Sequence, residues 1–305
     1  MGTLPQRGEL AEGAEQESSD QVSQLVLVND ARLSRLSSRP TLRNYLRKIW
    51  SRRRFVWLDA RSRAFKTDRD MILGRAWLIL SPLLDGLMYG FIFGFILQTS
   101  RGIDNFIGYL MIGITFFGMM RGPLTSGIGL TKSFRGMLGA FDFPAAALVF
   151  SRAIRQAYDS LIPGAVAIII TLAAQWGEPI HGTIILVLPL FLLIQLFGTG
   201  LMFMSARITA QIPDMKTMIN LATRAWFFIS GVFFSVERFV DQPTLKFLME
   251  ENPAYRFLTA VRDAVMYGQA PTATDWLVLS AWGAGTLLLG FLFFWRGEGK
   301  YANVR

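Results

Sequence analysis

Runs of apolar residues about as long as a bilayer is thick recur along this chain, separated by short polar breaks. The first covers 76–100 and is interrupted only by Asp85. The second, 105–130, carries Arg121 toward its end, where a long basic side chain reaches an interface. The third starts near 153, passes Arg155 and Asp159, and ends at 176. The fourth, 182–206, holds Pro189; the fifth, 217–236, contains Arg224; the last is 275–295. A helix needs about twenty residues to cross a hydrocarbon core. The pattern therefore predicts an all-α integral membrane protein with six transmembrane helices, the whole domain spanning 76–296.

Three segments are neither span nor plain loop. In 41–58, Leu42, Tyr45, Leu46, Ile49, Trp50, Val56 and Trp57 recur at helical spacing, while Arg43, Arg47, Lys48, Arg52 and Arg54 fill the other face. That pattern predicts a single amphipathic helix lying in the headgroup plane, with its bases on anionic lipid. A soluble basic helix that binds nucleic acid or packs on a partner has the same pattern. The region 41–75 as a whole reads as this interfacial helix followed by a segment leading into the first span. Residues 237–273 contain two short helical patterns, 244–249 and 254–267, broken at Asn252-Pro253, where the proline ring forbids a continuous helix. They predict an external re-entrant helical hairpin, with a surface hairpin as the alternative. In 131–143, Phe134, Met137, Leu138 and Phe141 form one stripe at i, i+3, i+4, i+7, which suits either docking of a partner or packing beneath the bundle.

Charge sets the orientation. Residues 1–75 hold 15 Lys/Arg against 9 Asp/Glu and no signal-peptide apolar core, which places the N-terminal side in the cytoplasm. The first 40 residues are polar, open with an acidic stretch, and read as a flexible cytoplasmic segment. Lys132, Arg135, Arg207 and Lys216 fall in the loops that share that side, and the tail 297–305 adds Arg296's neighbours Lys300 and Arg305. In the long loop 237–273 acids outnumber bases, which suits the outside. Both termini are thus expected in the cytoplasm of a multi-pass membrane protein. The net charge of +9 is placed for a membrane and not for nucleic acid.

Composition removes most chemistry. There is no cysteine and a single histidine, His181, with no second ligand nearby, so no metal site is expected. No GxxxxGK[ST] stretch occurs; the glycine clusters at 90–94 and 127–129 read as helix-packing positions. No catalytic residues are expected. The intramembrane charges Asp85, Arg121, Asp159 and Arg224 are costly in lipid and suggest either functional sites or the structural pairs Asp85–Arg121 and Asp159–Arg224. Tyr89, Phe93, Phe116, Trp226 and Phe233, with Arg121 and Arg224, are candidates to line a translocation path on which sugar faces stack; packing is the plainer role for each.

Leu73-Gly74 followed by Trp77 and Pro82, then Phe143-Pro144, then Asn252-Pro253 with Phe257, Arg262-Asp263 and Gly268, occur in an order and spacing that resemble the permease subunit of type-2 ABC exporters. The similarity covers about residues 41–303 and is greatest to the branch exporting lipid-linked polysaccharides such as O-antigen, teichoic acid, capsule or cell-wall galactan. Two positions depart from the family pattern: Ala145 replaces a frequent basic residue after Phe-Pro, and Arg69-Asp70-Met71-Ile72 replaces a Tyr-Arg-x-Ser run. The resemblance implies a homodimer whose separate ABC ATPase subunit binds ATP and Mg, this chain binding no cofactor itself. It implies that Phe134, Arg135, Met137, Leu138 and Phe141 dock into that ATPase. It implies a polyprenyl-diphosphate-linked glycan entering near the interfacial helix, where the planar guanidinium groups of Arg52, Arg53, Arg54, Arg61 and Arg63 suit a diphosphate. The other reading of these arginines is positive-inside anchoring among membrane lipids.

Other functions remain open on the sequence. An ABC permease for drugs or small lipophilic compounds shares every element above. A membrane-bound glycosyl- or acyltransferase needs a carboxylate or histidine set that the chain does not display. An ion-coupled carrier fits poorly with six spans lacking an inverted repeat.

Overall fold

A computed structural model describes residues 41–64, 76–96, 103, 105–134, 136, 143–235 and 242–301. The described residues are helical with no strand. In chain order the helices are α1 (Leu42–Ser51), α2 (Arg53–Arg63), α3 (Trp77–Tyr89) continued by a π-helical stretch (Gly90–Ile96), and α4 (Phe106–Ser126). Then come α5 (Leu130–Ser133), α6 (Ala145–Ala174), a 3-10 turn (Gly182–Leu186) leading into α7 (Val187–Gln211), and α8 (Met215–Ile229). The series ends with α9 (Pro243–Glu250), α10 (Pro253–Met266), α11 (Ala273–Trp295) and α12 (Glu298–Tyr301).

Four of these are long and apolar enough to cross a membrane: α4, α6, the Gly182–Gln211 unit and α11. α4, α7 and α11 run in one direction and α6 in the other, so the starts of α4, α7 and α11 share one end of the bundle with the finish of α6. The opposite end gathers Leu130, Ala145, Ala206 and Phe294. Outward-facing Leu87, Phe91, Phe95, Leu188 and Leu277 are well exposed, as they are on a protein solvated by lipid. α7 and α11 pack most closely. Gly200 and Gly290 meet there, and a Cβ on either would fall on the other helix's backbone, which is how small residues let membrane helices approach.

Several boundaries differ from the sequence expectation for physical reasons. The amphipathic segment is two helices, because the chain breaks at Arg52 (φ −93°, ψ 5°). There Ser51 Oγ donates to the Lys48 carbonyl at 2.7 Å and Arg53 to that of Trp50 at 3.1 Å, beside the backbone bonds from Arg52 N to Lys48 O and Ile49 O. α6 begins at Ala145, directly after Pro144 and about two turns before the expected start at 153, and Arg155 and Asp159 pair along it at 3.5 Å. Pro189 lies in the first turn of α7, where its missing N–H leaves no gap. The fifth expected span is shorter than predicted: α8 has 15 residues, roughly 22 Å, and stops where Gly231 turns left-handed at φ 63°. Asn252-Pro253 breaks the hairpin as expected, with Asn252 capping α10 through Ala254 N at 3.0 Å.

Candidate functional site

The α1–α2 elbow lies against the first half of α6. Its buried face is Tyr45, Val56 and Ala60, and Asp59 accepts a 2.6 Å hydrogen bond from Ser151 Oγ. Trp50, Trp57 and Leu58 turn outward and, with Ile49, Phe150 and Ile154, line an open apolar groove of about 630 Å3. Arg53 and Arg54 stand at this groove. The guanidinium of Arg53 lies 5.1 Å from the Trp50 ring, that of Arg61 5.0 Å from Trp57, and that of Arg52 5.6 Å from Phe143. Three of the five predicted arginines are therefore held on aromatic faces, a geometry open to a planar cation. The Arg63 side chain lies outside the described residues. One expectation is corrected: Tyr45 does not sit among the headgroup aromatics but is 1% exposed, pointing inward.

What Tyr45 meets there was not visible in the sequence. Its hydroxyl donates to Glu298 Oε2 at 2.6 Å and accepts from Ala146 N at 3.0 Å, while Ala145 N donates to Glu298 Oε1 at 2.8 Å. Glu298 and the Tyr45 hydroxyl thus satisfy the first two free N–H groups opening α6, where a carboxylate is favoured. Burial, and then the neighbouring carboxylate, hold the Tyr45 phenol well above its ordinary range, so it stays a neutral donor. α12 presents Glu298 by folding back on α11: Tyr301 donates to Phe294 O at 2.6 Å and its ring stacks 4.5 Å from Phe294.

At the other end of the bundle, α10 grips the finish of α8. Arg262, fully buried, donates to Tyr109 O at 3.1 Å, Gly231 O at 3.0 Å and Val232 O at 3.2 Å. Among the described residues no carboxylate forms an ion pair with it. Tyr109 Oη donates to Gly231 O and Phe234 O. Asn252 donates to Ile229 O and Ser230 Oγ and accepts from Trp226 Nε1 at 2.9 Å. The carbonyls of Ile229, Gly231, Val232 and Phe234, at and just past the end of α8, thus find donors from Asn252, Tyr109 and Arg262. Beside them, a pocket of about 300 Å3 is lined by Glu250, Glu251, Arg256, Asp263 and Asp275. Burial, assisted by Asp275 and opposed by Arg262, pushes the Asp263 carboxyl up to about 6.

The predicted path residues separate into two groups. Tyr89 and Phe233 pack 5.2 Å apart, joined by Phe227 to Phe117 and Trp226, in a continuous aromatic cluster between α3, α4 and α8. Phe116 and Phe233 are fully buried, so in this conformation they pack the interior and line no open passage. Arg121 and Arg224 are exposed, and the Phe93 side chain lies outside the described residues. Among the described residues neither suggested pair forms an ion pair: Asp159 pairs instead with Arg155, while Arg121 lies near enough for its charge to act on Asp85. A cleft of about 480 Å3, lined by Leu201, Thr223, Trp226, Trp282 and Leu289, opens between α8 and the α7–α11 pair. Of the predicted docking stripe, Phe134 is half-buried just after α5, while Arg135, Met137, Leu138 and Phe141 lie outside the described residues.

The family model of the ABC-2 type transporters matches residues 60–266. The O-antigen export system permease protein RfbA of Myxococcus xanthus is 22% identical over 214 residues, covering 70% of this chain and 80% of its own. The polysialic acid transport protein KpsM of Escherichia coli is 26% identical over 227 residues, covering 73% of this chain and 85% of its own.

Proposed function

Because this chain belongs to the ABC-2 type transporter family, we propose that it is the permease subunit of an exporter that moves a lipid-linked polysaccharide out of the cytoplasm. The observation that carries the substrate class is the pair of relatives named for O-antigen and polysialic acid, each matched over most of its length. Two copies of the chain form the conduit. A separate ABC ATPase, with ATP and Mg, supplies the work and engages 131–143. The chain lies in the plasma membrane with six spans, α3 and α8 joining the four long ones, and with both termini cytoplasmic.

The elbow supports the entry step. Arginines on aromatic faces lie beside a groove that is apolar enough for an isoprenyl chain, so head and tail of a polyprenyl diphosphate find matching surfaces within one site. Once the diphosphate is held there, the glycan is directed toward the space between protomers, and closure of the ATPase pair moves the helices around it.

Inactivating the chain in its host tests the substrate. Surface polysaccharide is expected to disappear while lipid-linked glycan accumulates inside. Unchanged surface polysaccharide with loss of resistance to a lipophilic drug would move the chain to the drug-exporting reading. The topology has its own check in this cysteine-free background: a cysteine placed at Thr244 is expected to react with a membrane-impermeant probe from outside, and labelling only from the cytoplasm overturns it.

A further inference from the structure

Segment 131–143 runs directly into Phe143-Pro144 and the first turn of α6. That turn is tied to two other parts of the chain through one closed ring of hydrogen bonds: Ala145 N to Glu298, Glu298 to Tyr45, and Tyr45 to Ala146 N. The ring is dry. Tyr45 is 1% exposed and Tyr301, which holds α12 in place, 2%. Breaking it would leave the two opening amide groups of α6 and the buried Tyr45 hydroxyl without their partners, so its members move together. A second contact lies alongside. Phe143 stacks edge-on against Phe55 of α2 at 5.0 Å, beneath Arg52. A shift of the opening turn of α6 therefore carries the elbow with it, while the elbow's outer face, Trp50 and Leu58, is left exposed and free to travel.

We propose that the Tyr45–Glu298 pair is the joint that passes movement of the opening turn of α6 to the arginine-bearing elbow, which makes both side chains positioning residues for export. This rests on the exporter function proposed above. Neither residue touches substrate. Their part is to keep α1 in register with α6, so that the stroke delivered by the ATPase reorients the bound head group and does not merely bend the loop. The carboxylate is needed as well as the hydroxyl, since one of its oxygens holds α6 and the other holds α1.

The test uses the full-length chain assembled with its ATPase, in the parent, Tyr45→Phe, Glu298→Gln and the double variant. Spin labels at Ser51→Cys and Gln211→Cys report the elbow against the end of α7 with and without ATP and Mg. The parent distance is expected to change on adding nucleotide, and that change is expected to fall to less than about half in each single variant. Periodate-reactive surface polysaccharide exported per ATP hydrolysed is expected to fall about tenfold, with ATPase rate and protein level near the parent's. The double variant is expected to be no worse than the weaker single one. A parent-like distance change or parent-like export per ATP in either single variant overturns the joint. So do additive losses, a parent elbow that does not respond to nucleotide, or ATPase rate and assembly falling in step with export, which would mark a purely structural role. The distance needs no glycan. A parent whose elbow moves while no polysaccharide reaches the surface removes the substrate reading and leaves the joint standing.

Discussion

Arg262 lies over the ring of Tyr109, 3.3 Å from its centre, and donates to that same residue's carbonyl oxygen at 3.1 Å. One tyrosine thus receives the cation on its face and on its backbone, while its hydroxyl reaches the segment that the guanidinium also holds. The charge is accommodated by carbonyl dipoles and a ring quadrupole in place of a carboxylate.

Replacing Arg262 with Met keeps much of the volume but strips donors from Tyr109, Gly231 and Val232. Gly231 O keeps the Tyr109 hydroxyl as a donor, so Val232 O is the carbonyl left short; a buried carbonyl left unpaired costs about 1–3 kcal/mol, and a loss of that order is expected. Arg262→Lys is expected to fall between parent and Met variant, since one ammonium cannot span carbonyls on two elements. Thermal unfolding of the purified protein in detergent measures this, and a Met variant as stable as the parent would refute the role given to the guanidinium.

Asp263 predicts a pH dependence of defined sign. Its carboxyl is pushed up to about 6 in the fold, from an ordinary value near 4 in the unfolded chain. A raised acid stabilises the fold while protonated, so its share of stability is lost as pH rises from about 4 through 6. The groups around it are Arg262, which opposes the shift, and Asp275, Glu250, Glu251 and Arg256 of the same pocket. Asp263→Asn is therefore expected to unfold at a higher temperature than the parent at pH 7, with the difference shrinking toward pH 4. A difference independent of pH would remove the assignment.

The helices were legible in the sequence because twenty-residue apolar runs have few other uses, and the hairpin break because proline at 253 leaves the chain no helical alternative. The early finish of α8 was not, since Phe233 and Phe234 continue the apolar run through a left-handed Gly231. Nor was the inward turn of Tyr45. On periodicity it belongs to the lipid-facing stripe with Trp50, and its partner lies 253 residues away in a tail that reads as plain polar chain. Arg262 was legible only as a motif position, because carbonyl partners leave no trace in side-chain identity. The elbow arginines were found by their density, yet their ring contacts depend on the break at Arg52, which a continuous helical pattern hides.

The ATPase-docking role of 131–143 is tested by Phe134→Asp combined with Leu138→Asp. If the stripe is buried against a partner, two unpaired carboxylates enter an apolar contact at about 3 kcal/mol or more each. Association is then expected to weaken at least about a hundredfold. Co-purification with the ATPase measures it, and undiminished recovery together with normal export would show that coupling runs through other residues.

Changing Arg52, Arg53 and Arg54 together to Lys separates grip from anchoring. Charge is kept, so insertion, orientation and attraction to anionic lipid, which respond to charge, are expected to persist. What is lost is the planar fork that matches phosphate oxygens two at a time. Arg52 and Arg53 also lose their places on Phe143 and Trp50, so a fall in export from the triple variant mixes packing with recognition. Arg54 is the cleaner position. It stands exposed at the groove and, among the described residues, makes no ring contact. Arg54→Lys alone removes at most one charge-assisted hydrogen bond of about 1.5 kcal/mol, so export is expected to fall about tenfold at limiting substrate. Protein level, ATPase association and thermal stability are expected to match the parent. Arg54→Gln, which also loses the charge, is expected to be worse still. If Arg54→Lys and the triple Lys variant both export like the parent, the arginines are anchors, and the diphosphate must be held by other groups.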